Sequence, residues 1–235
     1  KYPEVNEMCS RMMQVSNALA RRCEHDPDAF RRRLVDQARQ ELYRGQCNCG
    51  YWHGAFGGLY LPHLRNAVYS SLIRAENLLL AYQQGADTQF AKARIEDLDS
   101  DGLLDAGLEN DKLALFIAVS RGGMVYELDV REIAVNVGAS LSRRPEAYHQ
   151  KIRAAIGQHG DTVGSIHDRI VFKPEGLDQK LFYDNYPRKM LVDHFYPVDA
   201  TAQDAESGAI AELGDFVTGA YVATILGENG QKSLR

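Results

Sequence analysis

At 235 residues, with 45% hydrophobic and 25% charged side chains and a net charge of −5, the sequence is that of a soluble globular chain with enough length for a large core. It has no apolar run near the roughly 18 residues that a membrane span needs, and its negative charge argues against nucleic acid as a partner. The charge is uneven: residues 1–95 hold 13 Lys and Arg against 9 Asp and Glu, and residues 96–235 hold 14 against 23. A domain boundary near residue 95 follows, with a helical region at 1–94 and a β domain at 95–235. Cys9, Cys23, Cys47 and Cys49 all lie in the first part, and Cys47 and Cys49 are too close in sequence for an ordinary structural bridge, so reduced thiols in a cytoplasm are expected rather than a disulfide framework. The chain opens at Lys1 directly into helix-like sequence with no leader pattern, which reads as the interior of something longer.

Along the chain, Pro3 and Glu4 suit a helix start, and Val5, Met8, Met12, Val15 and Leu19 follow at helical spacing. Asp26-Pro27-Asp28 restarts the chain as a cap. Phe30, Leu34, Ala38 and Leu42 form the next apolar stripe, which Gly45 stops. Leu64, Val68, Leu72, Ala75 and Leu79 predict a third helix that runs to Gly85. The Arg31-Arg32-Arg33 run on the second helix is read as a solvated face.

From residue 95 the period changes. Lys112–Val119 and Met124–Val130, joined through Arg121-Gly122-Gly123, read as a hairpin with Glu127 and Asp129 pointing outward. Ile133–Val137, Ser165–Phe172 and Tyr221–Leu226 are further predicted strands, with 95–107 as a turn-rich joint. The class is therefore α+β: three helices, then a mainly antiparallel β-sandwich.

Between the second and third helices lies the most chemically dense stretch, QCNCGYWHGAFGGLYLPHLR (46–65). Aromatic faces suit sugar rings and flat ligands, and glycines let backbone approach a ligand, so this composition fits the wall of a binding site. It equally fits a loop whose aromatics plug the gap between two helices.

Other chemistry is weaker. Asp97, Asp99, Asp101 and Gly102 match the first half of a calcium loop, but the twelfth position is Leu108, so a polar turn is favoured. His149, His159, His167 and His194 match no zinc spacing, and no metal or other cofactor is expected. Asp168, Asp184 and Asp193 could supply an acid/base pair, and the sequence does not choose among them.

The stretch 46–65 resembles the last signature region of glycoside hydrolase family 57, in its branch of 4-α-glucanotransferases and related α-amylases. The segments 109–131, 141–149, 165–173, 186–195 and 214–217 resemble the β domain that follows in the same enzymes. The resemblance implies a parent enzyme acting on α-1,4-glucans by a retaining mechanism. Its catalytic carboxylates would lie upstream of residue 1, in a β/α barrel absent from this chain, and a galactose-mutarotase-like sandwich, here incomplete at its C-terminal end, would follow the helices.

Carried over residue by residue, the resemblance makes Trp52 a stacking face for glucose, with His53, Tyr51, Cys49 and Asn48 lining the same subsites. Some members carry an Asp where this sequence has Cys49, so a carboxylate contact to sugar at that point is in doubt. The implied partners are an α-glucan or maltodextrin substrate and the N-terminal catalytic barrel of the parent, with a second copy, as a homodimer, a further candidate. By itself the chain should be inactive, since it holds no matched carboxylate pair. A non-catalytic carbohydrate-binding or scaffold module is the alternative.

Overall fold

The computed structural model describes residues 2–22, 26–53, 57–85, 89–154, 176, 181–208, 210–228 and 231–234. Two compact units emerge, one of Lys1–Ser140, Lys189–His194 and Asp215–Arg235, the other of Leu141–Arg188 and Phe195–Gly214.

The first unit begins with α1 (Pro3–Ala20), α2 (Ala29–Gly45) and α3 (Pro62–Gln84). Their starts follow the sequence signals: prolines open α1 and α3, where the missing N–H costs nothing, and the Asp28 side chain accepts from Phe30 N to cap α2. Gly85, at φ 90°, closes α3. Their shared core is apolar, with Met8 and Val15 of α1, Val35, Ala38 and Leu42 of α2, and Leu72, Ile73 and Leu79 of α3 all buried. Enclosing each larger side chain contributes about 1.5–3 kcal/mol. Phe30 departs from the predicted stripe: it lies in the first turn of α2 and is 59% exposed, so the buried stripe starts at Leu34. Arg31, Arg32 and Arg33 are exposed.

A five-stranded antiparallel sheet follows in the order β1 (Ala91–Glu96), β2 (Asp105–Asn110), β3 (Leu113–Ala118), β4 (Met124–Val130) and β5 (Val135–Asn136). The β3–β4 hairpin stands where the sequence predicts it. The stretch 95–107 is not a joint, because β1 and β2 occupy its two ends and pair with each other from Ala91↔Asn110 to Glu96↔Asp105. A separate hairpin joins β6 (Ile225–Glu228) to β7 (Gln231–Leu234). The predicted strand at 165–172 lies outside the described residues.

The orientation of β4 reverses the prediction. Glu127 and Asp129 face inward and are 1% and 0% exposed. Arg11 of α1 reaches both, its Nε donating to Glu127 Oε1 at 2.8 Å and its Nη2 to Asp129 Oδ2 at 3.2 Å, while Nη1 and Nη2 also grip Glu76 of α3. Arg131 ties Glu76 to Glu109 of β2. The guanidiniums of Arg11 and Arg94 lie over the Phe116 ring, 5.1 and 5.5 Å from its centroid. Helices and sheet are thus joined by an ionic seam.

Within that seam the three guanidiniums of Arg11, Arg94 and Arg131 face the four carboxylates of Glu76, Glu109, Glu127 and Asp129. Burial works against ionisation of Glu76, but Arg11 and Arg131 outweigh it and hold its carboxyl below the usual range. Burial first, then the adjoining Asp129 charge, pushes Glu127 well above its ordinary value, and burial raises Asp129 too. Asp129 Oδ1 is buried without a hydrogen-bond donor in the structure. The other face of the sheet presents half-buried apolar side chains, among them Ile95, Leu108, Leu115, Leu128 and Val130.

The second unit contains α4 (Ala147–Ala154) and α5 (Ala202–Ser207), the latter opened by a capping box between Thr201 and Asp204 and closed by Gly208. No described helix is long and apolar enough to cross a membrane.

Candidate functional site

Downstream of α2 the chain turns sharply, because Gln46 N bonds back to Leu42 O and Cys47 N to Arg44 O. A 3-10 turn at Asn48–Tyr51 follows, then the described part of the loop to His53, and a second 3-10 turn at Gly58–Tyr60 leads into α3. Two glycines make this path feasible. Gly50 is pressed onto the helices so closely that a Cβ there would stand 2.9 Å from Val68 Cγ2. Gly58 takes φ +48°, and a Cβ on it would collide with Trp52 O.

The loop is clamped by its backbone. Leu59 N donates to Trp52 O at 2.8 Å, closing the two turns on each other. The buried Arg65 guanidinium donates to Leu59 O and, at 3.2 Å, to Ala139 O. The hydroxyls of Tyr2 and Tyr60 meet at 3.0 Å with their rings edge to face.

On this frame the five residues singled out from the sequence divide. Trp52 has extended backbone (φ −148°, ψ 167°) and is 49% exposed, with the His53 ring beside it at 5.6 Å between centroids. Asn48, Cys49 and His53 are exposed as well. Tyr51 turns the other way: it packs against the helical core and donates its hydroxyl to Gly45 O at 2.6 Å, and burial raises its phenol well above the usual value, so it stays a donor. The loop therefore offers an indole and an imidazole at the surface, backed by a rigid floor. That arrangement can stack on a flat or ring-shaped ligand but holds no acid/base pair. Cys9, Cys47 and Cys49 carry free thiols.

The carboxylates and histidines of the second half do not assemble a catalytic pair among the described residues. Asp184 accepts from Arg143 N, Nε and Nη2 and from Arg188 Nε; burial would raise its carboxyl, but these bonds outweigh it and hold it low. Such a group is an ion-pair anchor rather than a general acid. Asp193 is exposed, and Asp168 lies outside the described residues. His149 is occupied locally, its Nδ1 near Glu146 N and the Tyr183 hydroxyl at 3.2 and 3.1 Å. His194 is half-buried, and His159 and His167 lie outside the described residues.

The turn at 97–102 is wound on its own side chains. Asp97 accepts from Asp101 N and Gly102 N, and Asp99 from Asp101 N. Asp105 joins them from β2, unnoticed in the sequence motif, so that carboxylate oxygens of Asp97, Asp99 and Asp105 lie within 4.8 Å of one another. Burial, then the facing charges of Asp105 and Asp101, push Asp99 up to about 7, and burial pushes Asp105 up to about 6. Arg121 Nη2 pairs with Asp99 at 3.1 Å, while Leu98 N and Asp99 N fill one Asp105 oxygen. These are the described residues best placed to hold a cation, and both oxygens of Asp97 and Asp99 and one of Asp105 are already engaged by protein groups.

Comparison with known proteins places this geometry in a lineage. The family model "Alpha-amylase/4-alpha-glucanotransferase, middle domain" matches residues 1–79, and "Alpha-amylase/4-alpha-glucanotransferase, C-terminal" matches residues 97–234. A 4-alpha-glucanotransferase of Thermococcus kodakarensis is 36% identical over 98% of this chain and 32% of its own length; an alpha-amylase of Pyrococcus abyssi is 36% identical over 94% of this chain and 30% of its own. The crystal structure of 4-alpha-glucanotransferase from Thermococcus litoralis superposes with a TM-score of 0.73 at 33% identity, over 96% of this chain and 29% of that one. The chain thus spans about a third of the length of these relatives. Together the two matched models account for nearly the whole sequence: the chain belongs to the alpha-amylase/4-alpha-glucanotransferase family and corresponds to its middle and C-terminal domains.

Proposed function

We propose that this chain is the middle and C-terminal portion of a retaining α-1,4-glucan-acting enzyme of glycoside hydrolase family 57, either a 4-α-glucanotransferase or an α-amylase. The observation that carries this reading is the half-exposed Trp52 beside His53 on a loop whose backbone is tied at Leu59. A large indole left at the surface of a clamped loop suits stacking against a sugar ring, and a rigid frame avoids the entropy cost of ordering on binding. Asn48 and Cys49 line the same subsites as polar neighbours, and Tyr51 supports the wall from behind through Gly45.

In this reading the catalytic carboxylates belong to an N-terminal barrel of the parent protein. One attacks the anomeric carbon and the other serves as acid and then base, with transfer occurring when a sugar rather than water accepts the glycosyl group. In this reading the boundary between helical and β regions lies near residue 95; the gap between the two matched models, from 79 to 97, supports it, while the change from α3 to β1 falls slightly earlier, between Gln84 and Ala91. The half-buried apolar face of the sheet supports a second layer, as in a sandwich of galactose-mutarotase type. The free thiols support a cytoplasmic location.

The test is kinetic. In the full-length enzyme Trp52→Ala should lower kcat/KM on maltoheptaose by the equivalent of roughly 1–3 kcal/mol, the scale of base–aromatic stacking. Unchanged kinetics would remove Trp52 from the substrate path. The present chain alone should yield no shorter or longer maltodextrins from maltoheptaose above a heat-killed control.

A further inference from the structure

Arg65 stands in the first turn of α3, at the foot of the aromatic loop, and is only 7% exposed. Its fork spans two segments far apart in sequence: Nη1 donates to Leu59 O inside the loop, and Nε donates at 3.2 Å to Ala139 O, 74 positions further on and just past β5. We propose that Arg65 is a positioning residue for glucan binding, which fixes the Trp52 face to the β region through these two carbonyls; the inference rests on the glucan-acting reading above.

The contacts on either side of Arg65 are continuous. Leu59, whose carbonyl it holds, is fully buried and donates its own N–H to Trp52 O at 2.8 Å, so a single residue links guanidinium and tryptophan. On the other side, Ala139 ends a tightly tied turn. Val137 N donates to Leu128 O of β4 at 2.8 Å, and the buried Asn136 side chain accepts from Leu128 N at 3.2 Å and from Gly138 N at 2.8 Å. Gly138 leaves no slack, because a Cβ there would stand 3.0 Å from Met190 Cε and 3.1 Å from Tyr126 O. Ala139 O is therefore a fixed point of the sheet, and Arg65 carries its position to the loop.

An apolar side chain could fill this place in the packing without the cost of enclosing a guanidinium. Burial lowers the pKa of Arg65, the sign of that cost. What the charge adds is direction: charge-assisted bonds from a planar fork to two carbonyls fix both distance and angle, which neither a leucine nor the single ammonium of a lysine does. A stacking face gains from such fixing, since order held before binding is not lost on binding.

The test uses the full-length protein, with amide hydrogen exchange at Leu59 and kinetics on maltoheptaose as readouts. Arg65→Met, and to a lesser degree Arg65→Lys, should speed exchange of the Leu59 amide about tenfold, the scale of a lost bond to a charged group. The same variants should lower kcat/KM about fivefold, chiefly by raising KM. In a Trp52→Ala background that kinetic penalty should vanish, because Arg65 acts through the indole. Should Arg65→Met fail to fold, Arg65→Lys, which keeps the charge but not the fork, carries the same expectation. Parental exchange and kinetics in a folded variant overturn the proposal, as does a penalty that multiplies with that of Trp52→Ala. Parental kinetics in Trp52→Ala itself overturn the glucan reading of the loop, and the role of Arg65 in binding with it, whatever exchange at Leu59 shows.

Discussion

Trp52 stands half in water on a loop between two helices, whereas Glu127 and Asp129, two charged side chains on a strand, are sealed between a sheet and a helix pair. Each departs from the ordinary sorting of apolar inside and charged outside, in opposite directions. The difference lies in the partners. Trp52 has backbone support and one neighbouring ring; Glu127 and Asp129 have Arg11, with Glu76 and Arg131 behind it. An exposed aromatic that the fold does not need is free for a ligand, while enclosed charges are needed by the fold wherever they have been desolvated together.

The sharpest way to break this contrast is to remove the central cation. Arg11→Ala should cost about 3–5 kcal/mol in urea unfolding, because three carboxylates lose a guanidinium at a site closed to water. A loss below about 1 kcal/mol would show the seam to be solvated.

A second effect comes from pH. The folded-state values of Asp99 and Asp105, about 7 and about 6, stand above their ordinary 3.8, so folding favours their protonated forms. Their contribution is complete below about pH 4 and is lost as pH rises through 6 to 7. The melting temperature should therefore fall across that window, with a shallower fall in Asp105→Asn. A melting temperature that rises from pH 5 to 8 in the parent and the variant alike would contradict this.

On the loop side, Gly58→Ala should cost about 1–3 kcal/mol, combining an unfavourable positive φ with a Cβ driven into Trp52 O, and should blunt glucan kinetics by displacing the indole. The smallest stability effect belongs to Trp52→Ala, below about 1 kcal/mol by thermal melt, in contrast to the roughly 3–5 kcal/mol of a truncated core tryptophan. A large drop in melting temperature would make Trp52 a packing residue and collapse the contrast.

Much of this was legible in the chain itself. The prolines, Asp28 and Gly85 marked the limits of α1, α2 and α3, because caps and apolar spacing are local signals. The β3–β4 hairpin was legible for the same reason. What escaped was non-local. Alternation along β4 separates its two faces but does not say which one is buried, and the partners that make the charged face the inner one lie at residues 11 and 76. β1 reads AKARIE, with little apolar signal, and becomes a strand through its pairing with β2. Tyr51 and Trp52 are adjacent aromatics in one loop, and the hydrogen bond to Gly45 O together with packing on the helical core separates the inward ring from the outward one.

The ties between helices and sheet also bear on how the molecule reaches its native state and how its gene can be divided. Ser10 bonds to Asp99 O, Arg11 to Glu127 and Lys189 to Glu7, contacts separated by 89, 116 and 182 positions along the chain. Closures of that span slow the search for the native state, since the entropy of each large loop is lost before its contact forms. Expressed apart, residues 1–90 would leave Arg11 and Glu76 facing solvent, and the sheet would lose the cation that neutralises β4. The helices and the five-stranded sheet of the first unit therefore form a single cooperative block, to be moved together in any chimera.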